Sequence, residues 1–173
     1  MNDIRYKQLS LKLTKTVLLL FLSFVPFQPA FSLPPLQLYI EITPSGGVLN
    51  LEPGFYSGPA VITRPITING HGMVTIDAQG EGTVLSVEAD NTIISGLHLT
   101  SSGHSFDKMD AGIIIKADNV LIENNIIENT LFGIILHRAN KNTIRNNSIT
   151  SIETSLSLRG DGLRMWNSFN NII

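Results

Sequence analysis

The sequence predicts an all-β fold, a right-handed single-stranded parallel β-helix, from three observations: a repeat that aligns without gaps, an alternation of apolar residues within it, and asparagines at its bends. Ala89-Asp90-Asn91-Thr92-Ile93-Ile94 lies over Ala117-Asp118-Asn119-Val120-Leu121-Ile122 and again over Ala139-Asn140-Lys141-Asn142-Thr143-Ile144. A fourth copy opens at Ser168, so the steps between starts are 28, 22 and 29 residues. A unit of about 22 residues with surplus in two of its steps is what a solenoid coil with loops produces.

Taken from the N-terminus, the first element is an export leader. Arg5, Lys7, Lys12 and Lys15 precede the uncharged stretch Val17 to Phe27, and Ala30-Phe31-Ser32 follows. That order marks residues 1–32 as a signal peptide. Pro26 and Pro29 leave the uninterrupted apolar part short of the roughly 20 residues that span a bilayer. The domain then runs over 33–173, with 8 basic and 13 acidic residues and a net charge of −5. Such a balance does not attract nucleic acid. The chain has no cysteine, which excludes disulfides and thiolate metal sites and leaves stability to packing and hydrogen bonds.

Leu36 to Ile42 is expected to cover the N-terminal edge of the stack, because an open strand edge invites foreign pairing. Val48–Leu51, the turn Pro53-Gly54 and Phe55-Tyr56 begin the coils, and Val61-Ile62, Ile66-Thr67-Ile68 and Val74-Thr75-Ile76 complete the first one. In Gly112-Ile113-Ile114-Ile115-Lys116, Gly133-Ile134-Ile135-Leu136-His137 and Gly162-Leu163-Arg164-Met165-Trp166, the second and fourth positions are large and apolar. Alternate side chains of a strand face opposite sides, so these point inward and the fifth points out. Ile113, Ile134 and Leu163 should form one core column, and Ile115, Leu136 and Met165 the next. Asn91 and Asn119 mark one bend, Asn124-Asn125 and Asn146-Asn147 another, since Asn tolerates left-handed backbone and its amides can ladder between coils. Asn170-Asn171-Ile172-Ile173 stops in mid-coil without a polar cap, so the chain is expected to be a fragment of a longer protein or to pair there with another subunit.

Two insertions, Ser101 to Ala111 and Ser151 to Asp161, precede the glycine that opens a strand, whereas the coil between them has only Asn129 to Phe132. Both should rise from one edge, and loops on a rigid scaffold are where function concentrates. His104, Asp107, Met109 and Asp110 form a candidate metal site, His and Met being ligands that suit copper when Cys is absent. The competing account is a solvated polar loop. Phe106, Lys108, Glu153, Arg159 and Trp166 form a candidate partner surface. His98 and His137 fall on outward phases and read as surface histidines, Met165 as core, and His71 with Met73 as a plain Gly-rich turn. Asp161 and Arg164 belong to the tightest charged cluster outside the first loop, with Asp161 expected to bond backbone amides. No Asp-Asp pair and no Asp-Pro-His-Asp run is present, so the carboxylate sets of polysaccharide hydrolysis are missing from the sequence.

Leu51-Glu52-Pro53-Gly54-Phe55-Tyr56-Ser57-Gly58-Pro59, Ile76 to Leu85, Leu131-Phe132-Gly133-Ile134 and above all Arg159-Gly160-Asp161-Gly162-Leu163-Arg164-Met165-Trp166-Asn167-Ser168 resemble the N-terminal coils of the NosD family. The resemblance implies a periplasmic, non-enzymatic accessory protein. It would deliver copper during maturation of the copper–sulfur centre of nitrous oxide reductase, with a membrane ATP-binding-cassette (ABC) transporter as partner. The alternative is a carbohydrate-binding or polysaccharide-modifying β-helix, in which outward aromatics such as Trp166 and Phe132 stack on sugar rings.

Overall fold

A computed structural model describes residues 32–173. The expected leader, apart from Ser32, lies outside the described residues. Helix α1 (Leu36–Ile42) is followed by thirteen strands, all paired in parallel. Eight belong to one bent sheet that supplies two faces of each coil. Its first face stacks β1 (Val48–Asn50), the opening half of β4 (Thr67–Asp77), the opening half of β6 (Ile93–Thr100), β8 (Leu121–Glu123) and β11 (Thr143–Arg145). Its second face stacks β2 (Gly54–Ser57), the closing halves of β4 and β6, β9 (Ile126–Thr130) and β12 (Ser148–Ser151). The third face is the other sheet: β3 (Ala60–Ile62), β5 (Leu85–Val87), β7 (Ala111–Ile115), β10 (Phe132–His137) and β13 (Leu163–Trp166). This mostly-β arrangement of parallel sheets is consistent with a β-helix solenoid.

The register matches the sequence columns. Ile113 pairs with Ile134 and Ile134 with Leu163, while Ile115, Leu136 and Met165 follow one another in the next column. Ile113, Ile115, Ile134 and Leu136 are fully buried in a core that also takes in Ile68, Ile94 and Ile122 of the first face and Ile76, Leu99 and Ile127 of the second. Full burial of each such side chain contributes about 1.5–3 kcal/mol. Met165 departs from expectation. It keeps its place in the column, yet its surface is 53% exposed, because among the described residues β13 has a strand neighbour on one side alone.

Polar groups at the bends are paired from coil to coil, as burial requires. At the first bend Asn125 Oδ1 accepts from Leu97 N at 3.0 Å, and Asn147 Oδ1 accepts from both Asn125 N and Asn125 Nδ2, each at 3.0 Å. Asn124 and Asn146 supply left-handed backbone there, with φ of 57° and 55°. At the corner between the third and first faces, Asn91 and Asn119 are left-handed too, but the ladder runs through their neighbours. Asp118 N donates to Asp90 Oδ1, Asn140 N to Asp118 Oδ1 and Phe169 N to Asn140 Oδ1. Beside it, Val120 N donates to Asn142 Oδ1 and Asn142 N to Asn171 Oδ1.

The base is closed as the sequence suggests, and by a helix. Leu36 and Ile40, one turn apart on α1, enter the core. Gln37 Oε1 accepts from Val61 N at 2.8 Å, taking an otherwise open donor of the edge strand β3. Tyr39 meets Tyr56 edge-on at 5.3 Å, and burial, reinforced by Tyr39 and Glu52, pushes the Tyr56 phenol above its ordinary pKa.

Candidate functional site

Both insertions rise from the corner between the second and third faces, one between β6 and β7 and the other between β12 and β13. In the coil between them, Leu131 alone joins β9 to β10. The loops converge there. Leu131 N donates to Ser102 Oγ of the first loop at 2.9 Å, and Leu131 O accepts from Gly160 N of the second at 3.1 Å. Phe132 packs edge-on against Phe106 at 5.5 Å, and the Arg164 guanidinium lies over its ring, 5.1 Å from the centre. Gly160 is required by this approach, since a Cβ on it would stand 2.5 Å from both Leu131 O and Phe132 Cδ1. Phe132 is therefore buried, which removes it from the pair of aromatics expected to stack on sugars, and Trp166 remains exposed.

Asp110 organises the first loop. Asp110 is 4% exposed and its carboxylate accepts from Ser105 N at 2.8 Å, while Asp110 N donates to Ser105 O and Met109 N to Phe106 O. A carboxylate used in this way closes a turn. His104, Asp107 and Lys108 stand on the exposed outside, and Phe106 is partly exposed above Phe132. Among the described residues no group of three His, Asp or Glu side chains gathers as a metal cage. Met109, with φ of 56°, turns the other way, onto the outer surface of the third face.

That outer surface is apolar where the loop covers it. Ala111, Ile114, Leu131, Phe132 and Ile135 form a second buried cluster, with Met109 and Ile152 packed against it. The sequence signal for it was the unbroken runs Ile113-Ile114-Ile115 and Ile134-Ile135-Leu136, since a strand covered on both sides is apolar throughout instead of alternating. Beside the cluster lies a pocket of about 160 Å³ lined by Met109, Ile135, His137, Arg164 and Trp166. His137 and Trp166 are register partners on adjacent strands. His137 is half-buried. A thioether and an imidazole are donors that suit a soft cation.

Asp161 turns its carboxylate to Arg164 Nε at 3.0 Å instead of to backbone amides. The two are an exposed i,i+3 pair, so the guanidinium is the nearer donor. Glu153 lines a shallow polar groove with Glu128, Asn129, Thr150 and Ser151, and Arg159 is exposed with its Nε on Thr154 O. Leu156 and Leu158, in a 3-10 turn at the tip of the second loop, were not foreseen; Leu156 is 84% exposed. Two leucines among Ser155 and Ser157, in a loop rather than a strand, were the available signal. The other histidines lie elsewhere. His98 is half-buried, with Nε2 2.8 Å from Glu128 Oε1, and His71 and Met73 are exposed at the bend of β4.

Residues 46–173 match the family described as "Periplasmic copper-binding protein (NosD)". Among curated proteins, the chain is 26% identical over 123 residues to the "Probable ABC transporter binding protein NosD" of Pseudomonas aeruginosa strain PAO1. The aligned part covers 69% of this chain and 29% of that relative, so the chain spans under a third of the relative's length. No solved structure matches. Among the described residues no helix is long and apolar enough to cross a membrane.

Proposed function

The chain belongs to the NosD family of periplasmic copper-binding proteins, and from that premise we propose that it is a non-enzymatic accessory in the maturation of nitrous oxide reductase, passing copper on with a membrane ABC transporter as partner. Residues 1–32 are its export leader in this reading. Its coils are right-handed, as parallel crossovers almost always are. The observation that carries the proposal is the loop edge. Phe106, Leu156 and Leu158 are exposed on the two loops of one corner, with Lys108, Glu153 and Arg159 exposed on the same loops, and Trp166 is exposed at the far end of the third face. An exposed apolar strip rimmed by charge is the usual make-up of a protein docking surface. The apolar pocket holding Met109 and His137 opens beside it.

The test is made in a denitrifying host from which the gene has been deleted. Nitrous oxide reductase purified from it should lack copper at its copper–sulfur centre. The wild-type gene should restore the metal, and a version carrying Phe106→Ser, Leu156→Ser, Leu158→Ser and Trp166→Ser should not. Full copper content in the deletion strain would refute the accessory role.

A further inference from the structure

We propose that Met109 and His137 together hold one Cu(I) ion against the indole of Trp166, on the outside of the third face. The inference rests on the copper-handling role above and assigns it a place. Of the methionines and histidines described, these two share a pocket, although they come from different coils. The first loop makes the meeting possible. Asp110 closes the turn on Ser105, Met109 takes left-handed backbone, and its thioether is carried over the outer surface of β10. His137 reaches the same place as the last residue of β10.

The donor set selects the ion. Thioether sulfur and neutral imidazole are soft and borderline ligands that favour Cu(I), while Ca²⁺, Mg²⁺ and Mn²⁺ require oxygen ligands. No carboxylate lines the pocket, so a dication would enter without neutralising charge, and a monovalent ion suffers that least. Trp166, one coil from His137 in register, also lines the pocket, and an indole is the aromatic side chain that attracts a cation most strongly. Arg164 also lines the pocket and is the one unfavourable charge. Its guanidinium is paired with Asp161 and lies over Phe132, so its charge is partly compensated.

Trp166 is the sole tryptophan of the chain, so its fluorescence reports the site directly. The full exported chain is titrated without oxygen with Cu(I) buffered by bathocuproine disulfonate, and with Ag(I) as a redox-inert probe. One equivalent of either ion should quench the emission. Met109→Leu and His137→Gln, which keep side-chain size, should each weaken Cu(I) binding by at least about tenfold, since even an indirect partner of a metal ligand is worth about 10–100-fold. Circular dichroism confirms that both variants fold, and His104→Ala should leave affinity unchanged. Cu(I) binding that survives both substitutions, or that leaves Trp166 emission unaltered, overturns this site and leaves the accessory role standing. Binding abolished by His104→Ala moves the ion to the outside of the loop and equally refutes the assignment. Absence of any Cu(I) binding refutes the site as well, and the accessory role is then decided separately by the copper content of nitrous oxide reductase.

Discussion

Two corners of the same stack are built on opposite plans. At the bend of Asn125 and Asn147, a side-chain amide oxygen of one coil accepts from the backbone N–H of the preceding coil, twice in succession. At the corner of Leu131 and Phe132, one coil has a single linking residue and its neighbours have long loops that fold down on it from either side. The first corner is held by repetition, whereas the second is held by contacts found once in the molecule. A solenoid whose regularity is secured at one corner is free to vary at another, and that is where the loops carrying Met109 of the pocket and the exposed Phe106, Leu156 and Leu158 occur.

The sharpest way to break the contrast is Phe132→Ala. It removes the platform on which Phe106 and Arg164 rest, should cost about 3–5 kcal/mol, and should expose both loops to limited proteolysis while the Asn bends stay protected from hydrogen exchange. Equal protection of loops and bends would show that the loops do not depend on Phe132. Next comes Asn125→Ala, with an expected loss of about 2–3 kcal/mol in chemical denaturation, because Leu97 N loses its acceptor in a buried setting. Here the loops should keep their resistance to protease. Asp110→Ala should cost about 1–2 kcal/mol and loosen the first loop alone, seen as faster exchange at the amides of Ser105 and Asp110. At the bottom of the scale, Arg145→Ala removes an exposed pair with Glu123 at 2.7 Å and should change stability by under about 1 kcal/mol; a larger loss would mean that the first face relies on its outer charges.

What the sequence made legible was whatever repeats. Ile113, Ile134 and Leu163 could be stacked on paper because three frames align without gaps and alternation fixes which side chains turn inward. The same logic misjudged Met165, since register sets the direction of a side chain and says nothing about whether a further coil covers it. It assigned Phe132 to the surface for a related reason, because its cover comes from Phe106 and Arg164, each contributed by a non-repeating segment. The two insertions and their shared corner were readable from length alone. The part played by Asp110 was not, because a carboxylate beside a histidine and a methionine looks the same in sequence whether it faces a metal or a turn amide. Met109 and His137 stand 28 positions apart in different repeats, and nothing local to either signals that they line one pocket.

The small contact between Gln37 and Val61 bears on solubility. An uncovered parallel strand at the foot of a tube would be a template for accretion, with one molecule's extended segment annealing to the next. With that amide already engaged by Gln37, and with Leu36 and Ile40 packed into the core beside it, the edge of β3 offers an incoming strand one donor fewer to anneal to. Freeing that donor for a foreign strand would require α1 to peel away first.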